Sequence, residues 1–243
     1  ITKIGAGVQG FTVGQRVVAY TGTGGYAEYA VAKLSEALPI PAGIDSVTAA
    51  AVPTVFLTAW FGLSTDGKLK TGDTVLVHAG SSGVGIAAIQ IAKYLGAKVI
   101  TTSGGAHKCQ RLRQLGADEA VDYTTKDFPA EVRRITNDRG VDVVLEMIGG
   151  DVYNKSLEVL APNGRLVSIG GAFGAIPDPP PALTDGRKAT RFSITNHLKA
   201  NPGDFKQLDA ILTLRRAGPF WQDSFDHLVY FLRNSRQKAA SLF

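Results

Sequence analysis

A glycine-rich turn set between a β-branched run and a helical pattern constrains this chain most: Thr74-Val75-Leu76-Val77-His78-Ala79-Gly80-Ser81-Ser82-Gly83-Val84-Gly85. The run to Val77 reads as a short buried strand. Beyond Gly85, residues Ile86, Ile89, Ile91, Ala92 and Leu95 recur at the spacing of a buried helix face. Bare backbone in such a turn admits a pyrophosphate, and the unpaired N–H groups and dipole of a helix N-terminus favour negative charge. The spacing is not the usual G-x-G-x-x-G, so a turn kept small only for packing is the plain alternative. Against it, Ala97 to Ser103 reads as a second strand and completes a βαβ unit. The turn is therefore read as the phosphate grip of a dinucleotide site.

The alternation continues. Helical patterns span His107–Leu115, Phe128–Thr136 and Asp151–Leu160. Strand patterns span Glu119–Tyr123, Val141–Leu145, Arg165–Ile169 and Thr190–Thr195. This rhythm predicts an α/β fold, a Rossmann doubly wound parallel sheet. Residues 1 to 33 read as β structure, with a strand over Gln15–Tyr20 and partial alternation over Tyr26–Val31. That is too little sheet to stand alone, so it should belong to a larger barrel or sandwich. Asp45 or Ser46 can cap a helix whose apolar pattern runs to Leu63, and Pro53 predicts a break within it. Lys68–Asp73 reads as a polar loop and Ile176–Pro181 as a proline-rich one. Phe205–Arg216 reads as helical, and the tail from Trp221 as helix mixed with irregular chain.

The 243 residues, 44% hydrophobic and 19% charged, have ordinary globular composition. The net charge of +5 concentrates beyond Asp185, where Arg187, Lys188, Arg191, Arg215, Arg216, Arg233, Arg236 and Lys238 outnumber the acids. No aromatic-basic interleaving accompanies it, so a solvated basic face is favoured over a nucleic-acid surface. Cys109 is the lone cysteine, which excludes a disulfide framework or a cysteine-based zinc site and fits a reducing, cytoplasmic setting. No apolar run reads as long enough to span a bilayer, and no membrane partner is expected. The start at Ile1 reads as a chain that has lost its beginning.

An NAD site usually carries an acid at the end of its second strand, on the ribose 2′-OH. Here Ser103-Gly104-Gly105 stands there, and Lys108 follows one helical turn later. A cation at that place favours NADPH, although an ordinary solvated lysine fits the sequence equally well. His78, His107, His197 and His227 lack ligand spacing, and no metal is expected. His78 reads as capping a strand end. No nucleophile, base and acid group together. Hydride transfer needs none of these, because the cofactor carries the chemistry. No catalytic side chain is assigned.

Several segments together resemble the zinc-independent quinone oxidoreductases of the medium-chain dehydrogenase/reductase superfamily. They are Gly14-Gln15-Arg16-Val17, Gly24-Gly25-Tyr26-Ala27-Glu28-Tyr29, Ala51-Val52-Pro53 through Leu57-Thr58-Ala59, Ala79 through Gly85, Leu115-Gly116-Ala117-Asp118, Gly140 to Val144, Gly149-Gly150 and Gly164-Arg165. The resemblance covers about residues 1 to 200. It implies a partial GroES-like barrel over 1–48, a Rossmann domain over 49–197 and a return to the first domain over 198–243, with NADPH and substrate held in the cleft between domains. It implies that Ser82, Gly83, Val84 and Gly85 face the pyrophosphate, with Gly80 also among the cofactor-binding residues. It further implies that Ser103 and Lys108 serve the 2′-phosphate end and Tyr123 the adenosine. Thr58 would approach the nicotinamide, and Met147, Ile148, Ile169 and Gly170, at the ends of the fourth and fifth strands, would stand where such folds place their ligands. Tyr123 and Met147 read equally as core, and Thr58 as a helix-interior hydroxyl. Ser82 replaces a glycine common in the family, the chain starts inside the barrel, and Trp221–Phe243 resembles the closing segment only faintly. The expected activity is NADPH-dependent hydride transfer to a small-molecule electron acceptor, a quinone or α,β-unsaturated carbonyl. An enoyl-thioester reductase and a truncated, catalytically weak NADPH-binding module are the alternatives. By the same resemblance a homodimer is expected.

Overall fold

The computed structural model describes residues 1–214. The expectations for Arg215, Arg216, Arg233, Arg236, Lys238 and the tail from Trp221 lie outside the described residues. Tertiary contacts divide the chain into two compact units, one of Thr58–Ser193 and one of Ile1–Leu57 with the chain from Ile194 onward.

The unit of Thr58–Ser193 is built on a six-stranded parallel sheet. Its strands are β3 (Thr74–Val77), β4 (Lys98–Ser103), β5 (Glu119–Asp122), β6 (Val141–Glu146), β7 (Leu160–Ser168) and β8 (Lys188–Arg191), in the spatial order β5-β4-β3-β6-β7-β8. All the pairings are parallel. Strand order therefore reverses between β3 and β6, the switch point at which open α/β sheets bind ligands beyond their carboxyl ends. Crossovers are made by α2 (Gly83–Tyr94), α3 (Ala106–Gln114), α4 (Phe128–Thr136) and α5 (Gly150–Glu158). Val75, Leu76, Val77, Val143, Val144 and Leu145 are wholly buried. That two-sided burial is why these strands read as unbroken apolar runs rather than alternating ones. On one face Leu76, Ile100, Val144 and Leu166 pack with Phe128, Val132 and Tyr153. Local signals set the helix ends: the Asp127 carboxylate accepts from Ala130 N–H at 3.3 Å, and Asn137 closes α4 at φ 49°.

Several boundaries differ from the sequence reading. The sixth strand is Lys188–Arg191, not Thr190–Thr195, because its register against Arg165–Ser168 ends there and the chain turns into α6 (Ile194–Ala200). Thr195 is therefore helical. α5 stops at Glu158, and β7 begins at Leu160 with a reversal at Asn163 (φ 61°) before Arg165.

In the other unit, β1 (Val17–Ala19) pairs antiparallel with β2 (Ala37–Pro39). Tyr26–Val31 forms no strand. Gly22 and Gly24 reverse the backbone just before it, and Tyr26, Tyr29 and Val31 stand exposed. The helix expected to break at Pro53 runs unbroken as α1 (Ser46–Phe61) and continues as a π-helical turn, Gly62–Asp66. Proline removes one i→i−4 bond and costs ~3 kcal/mol in a helix interior. Here Ala49, Val52, Phe56, Leu57 and Ala59 are fully buried, and that burial outweighs the loss. This corrects the reading that no apolar run is long enough for a bilayer. Ser46–Asp66 is long and apolar enough by composition, and 61% of its apolar window is buried within the protein, as in a core helix. Phe205–Arg216 is likewise not one helix. A 3-10 turn over Pro202–Lys206 precedes α7 (Gln207–Leu214), whose Leu208, Ile211 and Leu212 are buried.

Candidate functional site

The turn after β3 is as tight as a backbone allows. A Cβ on Gly80 would collide with the Thr101 hydroxyl, and one on Gly85 with the Ala79 carbonyl, and would lie 2.7 Å from the Gly80 Cα. Ala79 itself takes φ 48° to begin the reversal. Gly80 and Gly85 thus let α2 start directly on the end of β3, the close helix–strand packing that a dinucleotide turn requires. Ser82 caps α2: its Oγ accepts from Gly85 N–H at 3.0 Å and donates to Met147 Sδ at 3.6 Å. The amides of Gly83 and Val84 open the helix and have no intrahelical acceptor by position. A short turn with two free helix-opening amides and no bulky side chain fits a diphosphate.

Other expected residues gather on this turn to different degrees. Ser103 is buried, and its hydroxyl donates to Ser81 Oγ at 3.1 Å, so it braces the turn from beneath. Met147 is joined to it through Ser82. Ile148 follows, and Ile169 and Gly170 end the neighbouring strand; Ile169 packs beside Gly62 of the π-helical turn. Nothing lies within 4 Å of a Cβ built on Gly170. Thr58 is buried in the last turns of α1. Lys108 and Tyr123 sit apart from the turn. Lys108 is exposed on the first turn of α3 and makes no ion pair among the described residues. The Tyr123 hydroxyl lies over Gly104, 2.9 Å from where a Cβ would stand, and the ring is 58% exposed.

Three residues of this region carry roles that sequence reasoning missed. Asp122, at the end of β5, accepts from Gly105 N–H at 2.9 Å and from the Thr124 hydroxyl at 2.6 Å. Those bonds, the Thr124 hydroxyl foremost, hold its carboxyl below the usual range and fix the loop that leads to Lys108. Glu146 has no exposed surface, and burial pushes its carboxyl up despite the amides of Gly149 and Ile148 that it accepts from. The apolar pattern of the strand ends one residue earlier, at Leu145, and that hides this side chain.

His78 is no simple strand cap. Its Nδ1 lies 3.0 Å from Thr102 Oγ1 and its Nε2 2.8 Å from Ser156 Oγ, and its ring meets Phe128 edge-on at 4.8 Å. Ser156 donates its own proton to Val152 O at 2.6 Å, so it accepts from Nε2–H, and Nδ1 accepts from Thr102. The imidazole is neutral, with burial lowering its pKa from 6.5 to about 3. It ties β3 to β4 and α5. Among the described residues, no three of His, Cys, Asp or Glu are placed to hold a metal ion. Cys109 is buried, and burial raises its thiol pKa.

Residues 83–213 match the zinc-binding dehydrogenase family. The chain is 35% identical over 211 residues to a phenolphthiocerol/phthiocerol polyketide synthase of Mycobacterium tuberculosis, covering 86% of this chain and 10% of that protein. It superimposes on a Pseudomonas syringae quinone oxidoreductase with a TM-score of 0.81 and 27% identity, covering 94% of this chain and 74% of that one. It superimposes on mycobacterial Rv1454c complexed with NADPH with a TM-score of 0.79 and 31% identity, covering 95% and 76%. The chain thus spans about three-quarters of these solved neighbours, and about a tenth of the polyketide synthase.

Proposed function

Because this chain belongs to the zinc-binding dehydrogenase family, within the medium-chain dehydrogenase/reductases, we propose that it is an NADPH-dependent oxidoreductase that reduces a quinone or an α,β-unsaturated carbonyl. One observation carries the reading: at the order reversal of the sheet, Gly80 and Gly85 clear side chains from a turn that opens directly into α2. Bound there, the dinucleotide supplies the hydride. The chain's own work is to bind and orient. The amides of Gly83 and Val84 face the diphosphate, and Ser82 holds the turn and Met147 together. Lys108 meets the 2′-phosphate, a charge-assisted contact worth ~1.5–3 kcal/mol. Met147, Ile148, Ile169, Gly170 and Thr58 bound the nicotinamide end.

Titration with NADPH and NADH, followed by a screen of quinones, enones and an enoyl thioester, tests the reading. NADPH is expected to bind more tightly than NADH and to be oxidised by at least one quinone or enone. No oxidation with any acceptor contradicts it and leaves an NADPH-binding module. A second reading, reduction of enoyl thioesters, is supported by the likeness to a polyketide synthase. It takes precedence if the thioester is reduced faster than every quinone. We also propose a homodimer paired through an edge of the parallel sheet, to be checked by sedimentation.

A further inference from the structure

Two loops meet beyond the carboxyl ends of β6 and β7, and the backbone knits them. Ala172 N–H donates to Met147 O at 3.1 Å, Phe173 N–H to Ile148 O at 2.9 Å, and Gly150 N–H to Ala175 O at 2.9 Å. Bare backbone makes this approach feasible. A Cβ on Gly149 or on Gly171 would collide with the Gly174 carbonyl, and one on Gly174 would stand 2.6 Å from Gly150 N. On this pinned frame Phe173 is 87% exposed. A phenyl ring held in water on an ordered backbone forgoes the stabilisation that burial would bring, and its backbone is bonded to a residue of the nicotinamide end.

Beneath the same frame lies Glu146. One carboxylate oxygen accepts from Ile148 N–H at 2.5 Å and Gly149 N–H at 2.8 Å, and the other accepts from the Ser168 hydroxyl at 3.3 Å. A single buried carboxylate therefore ties the turn after β6 to the end of β7.

We infer that Phe173 is the acceptor-contacting side chain of this site, presenting its ring to a flat, conjugated, apolar acceptor, and that Glu146 is the positioning residue that fixes the loop pair carrying it. The inference rests on the proposed function and names the substrate class within it. An acceptor with a planar ring packs against Phe173, whereas a short aliphatic enoyl thioester gains less from it.

The test reads binding as well as turnover. In the NADP⁺-loaded chain, Phe173→Ala is expected to weaken 1,4-naphthoquinone about 5-fold and Phe173→Trp to restore it, with NADPH affinity unchanged in both. Glu146→Ala is expected to speed hydrogen exchange at the amides of Ile148, Gly149, Ala172 and Phe173 and to weaken naphthoquinone to the same degree. Glu146→Gln keeps exchange and binding near wild type, because its amide oxygen accepts both N–H groups while its NH₂ faces Ser168. Unchanged naphthoquinone binding in Phe173→Ala overturns the role of the ring. Unchanged exchange in Glu146→Ala overturns that of the carboxylate. In both cases NADPH oxidation survives and the proposed function stands. A wild-type chain that binds no NADPH removes that function, and this inference with it.

Discussion

Glycine serves opposite ends in two regions of this molecule. Around the turn after β3, and again where the loops beyond β6 and β7 meet, glycines stand where a methyl group has no room. Over residues 7–24, Gly7, Gly10, Gly14, Gly22 and Gly24 have φ between 70° and 88°, and nothing lies within 4 Å of a Cβ built on any of them. The first set is there for close approach of backbone to backbone, the second for chain reversal in open space. Glycine content alone does not separate the two. The setting does: Gly80 and Gly85 lie where a buried parallel strand turns into a helix, and Gly149, Gly171 and Gly174 where two loops beyond such strands are hydrogen-bonded together.

The largest effect should follow from breaking the close approach. Gly85→Ala forces a methyl into the Ala79 carbonyl and should cost about 3 kcal/mol, lowering Tm by ~6–12 °C and abolishing NADPH binding. Gly10→Ala meets no atom and should cost only the ~1 kcal/mol of a left-handed alanine. Equal losses in thermal melts would erase the distinction. Lys108→Ala separates binding from packing at the same site: NADPH should weaken ~10- to 100-fold, while NADH affinity and Tm hold. A parallel loss of NADH would return Lys108 to an ordinary surface lysine.

The buried polar layer under the turn should show itself in pH dependence. His78 is neutral in the fold with a pKa of about 3, against 6.5 in an unfolded chain. The unfolded state therefore binds the extra proton first. The stability is fully present above pH 6.5 and falls toward pH 3 by up to ~1.4 kcal/mol per unit. His78→Gln should flatten that slope in urea midpoints taken between pH 6.5 and 4.5, and an unchanged slope would count against the assignment. Smallest of all, Tyr26→Ser in the open region should change the unfolding free energy from urea melts by less than ~0.5 kcal/mol. A larger loss would mean that Tyr26 is packed.

Most of the parallel sheet was legible because its strands are buried on both faces. Val75–Val77 and Val143–Leu145 are apolar throughout, and the helices between them carry caps such as Asp127. What stayed hidden depends on partners far away in sequence. Glu146 lies just past the apolar run that ends at Leu145, and only Ser168 and the turn after it make a buried carboxylate tenable there. His78 needed Thr102 and Ser156, 24 and 78 residues away, to become a strut. Pro53 overstated its power to break a helix because local propensity does not register how deeply α1 is buried. Tyr26–Val31 showed partial strand alternation, yet no strand pairs with it among the described residues. At the site, the turn was visible in the sequence, whereas the Ser82 cap, the clasp of Glu146 and the exposure of Phe173 were not.

The central claim is that a dinucleotide's diphosphate rests where β3 turns into α2, and amide chemical shifts recorded during NADPH titration test it most directly. Saturable shifts are predicted, largest at Ser82, Gly83, Val84 and Gly85, with a second group at Met147 and Ile148. Saturation with those amides unmoved, or no binding at all, would contradict it.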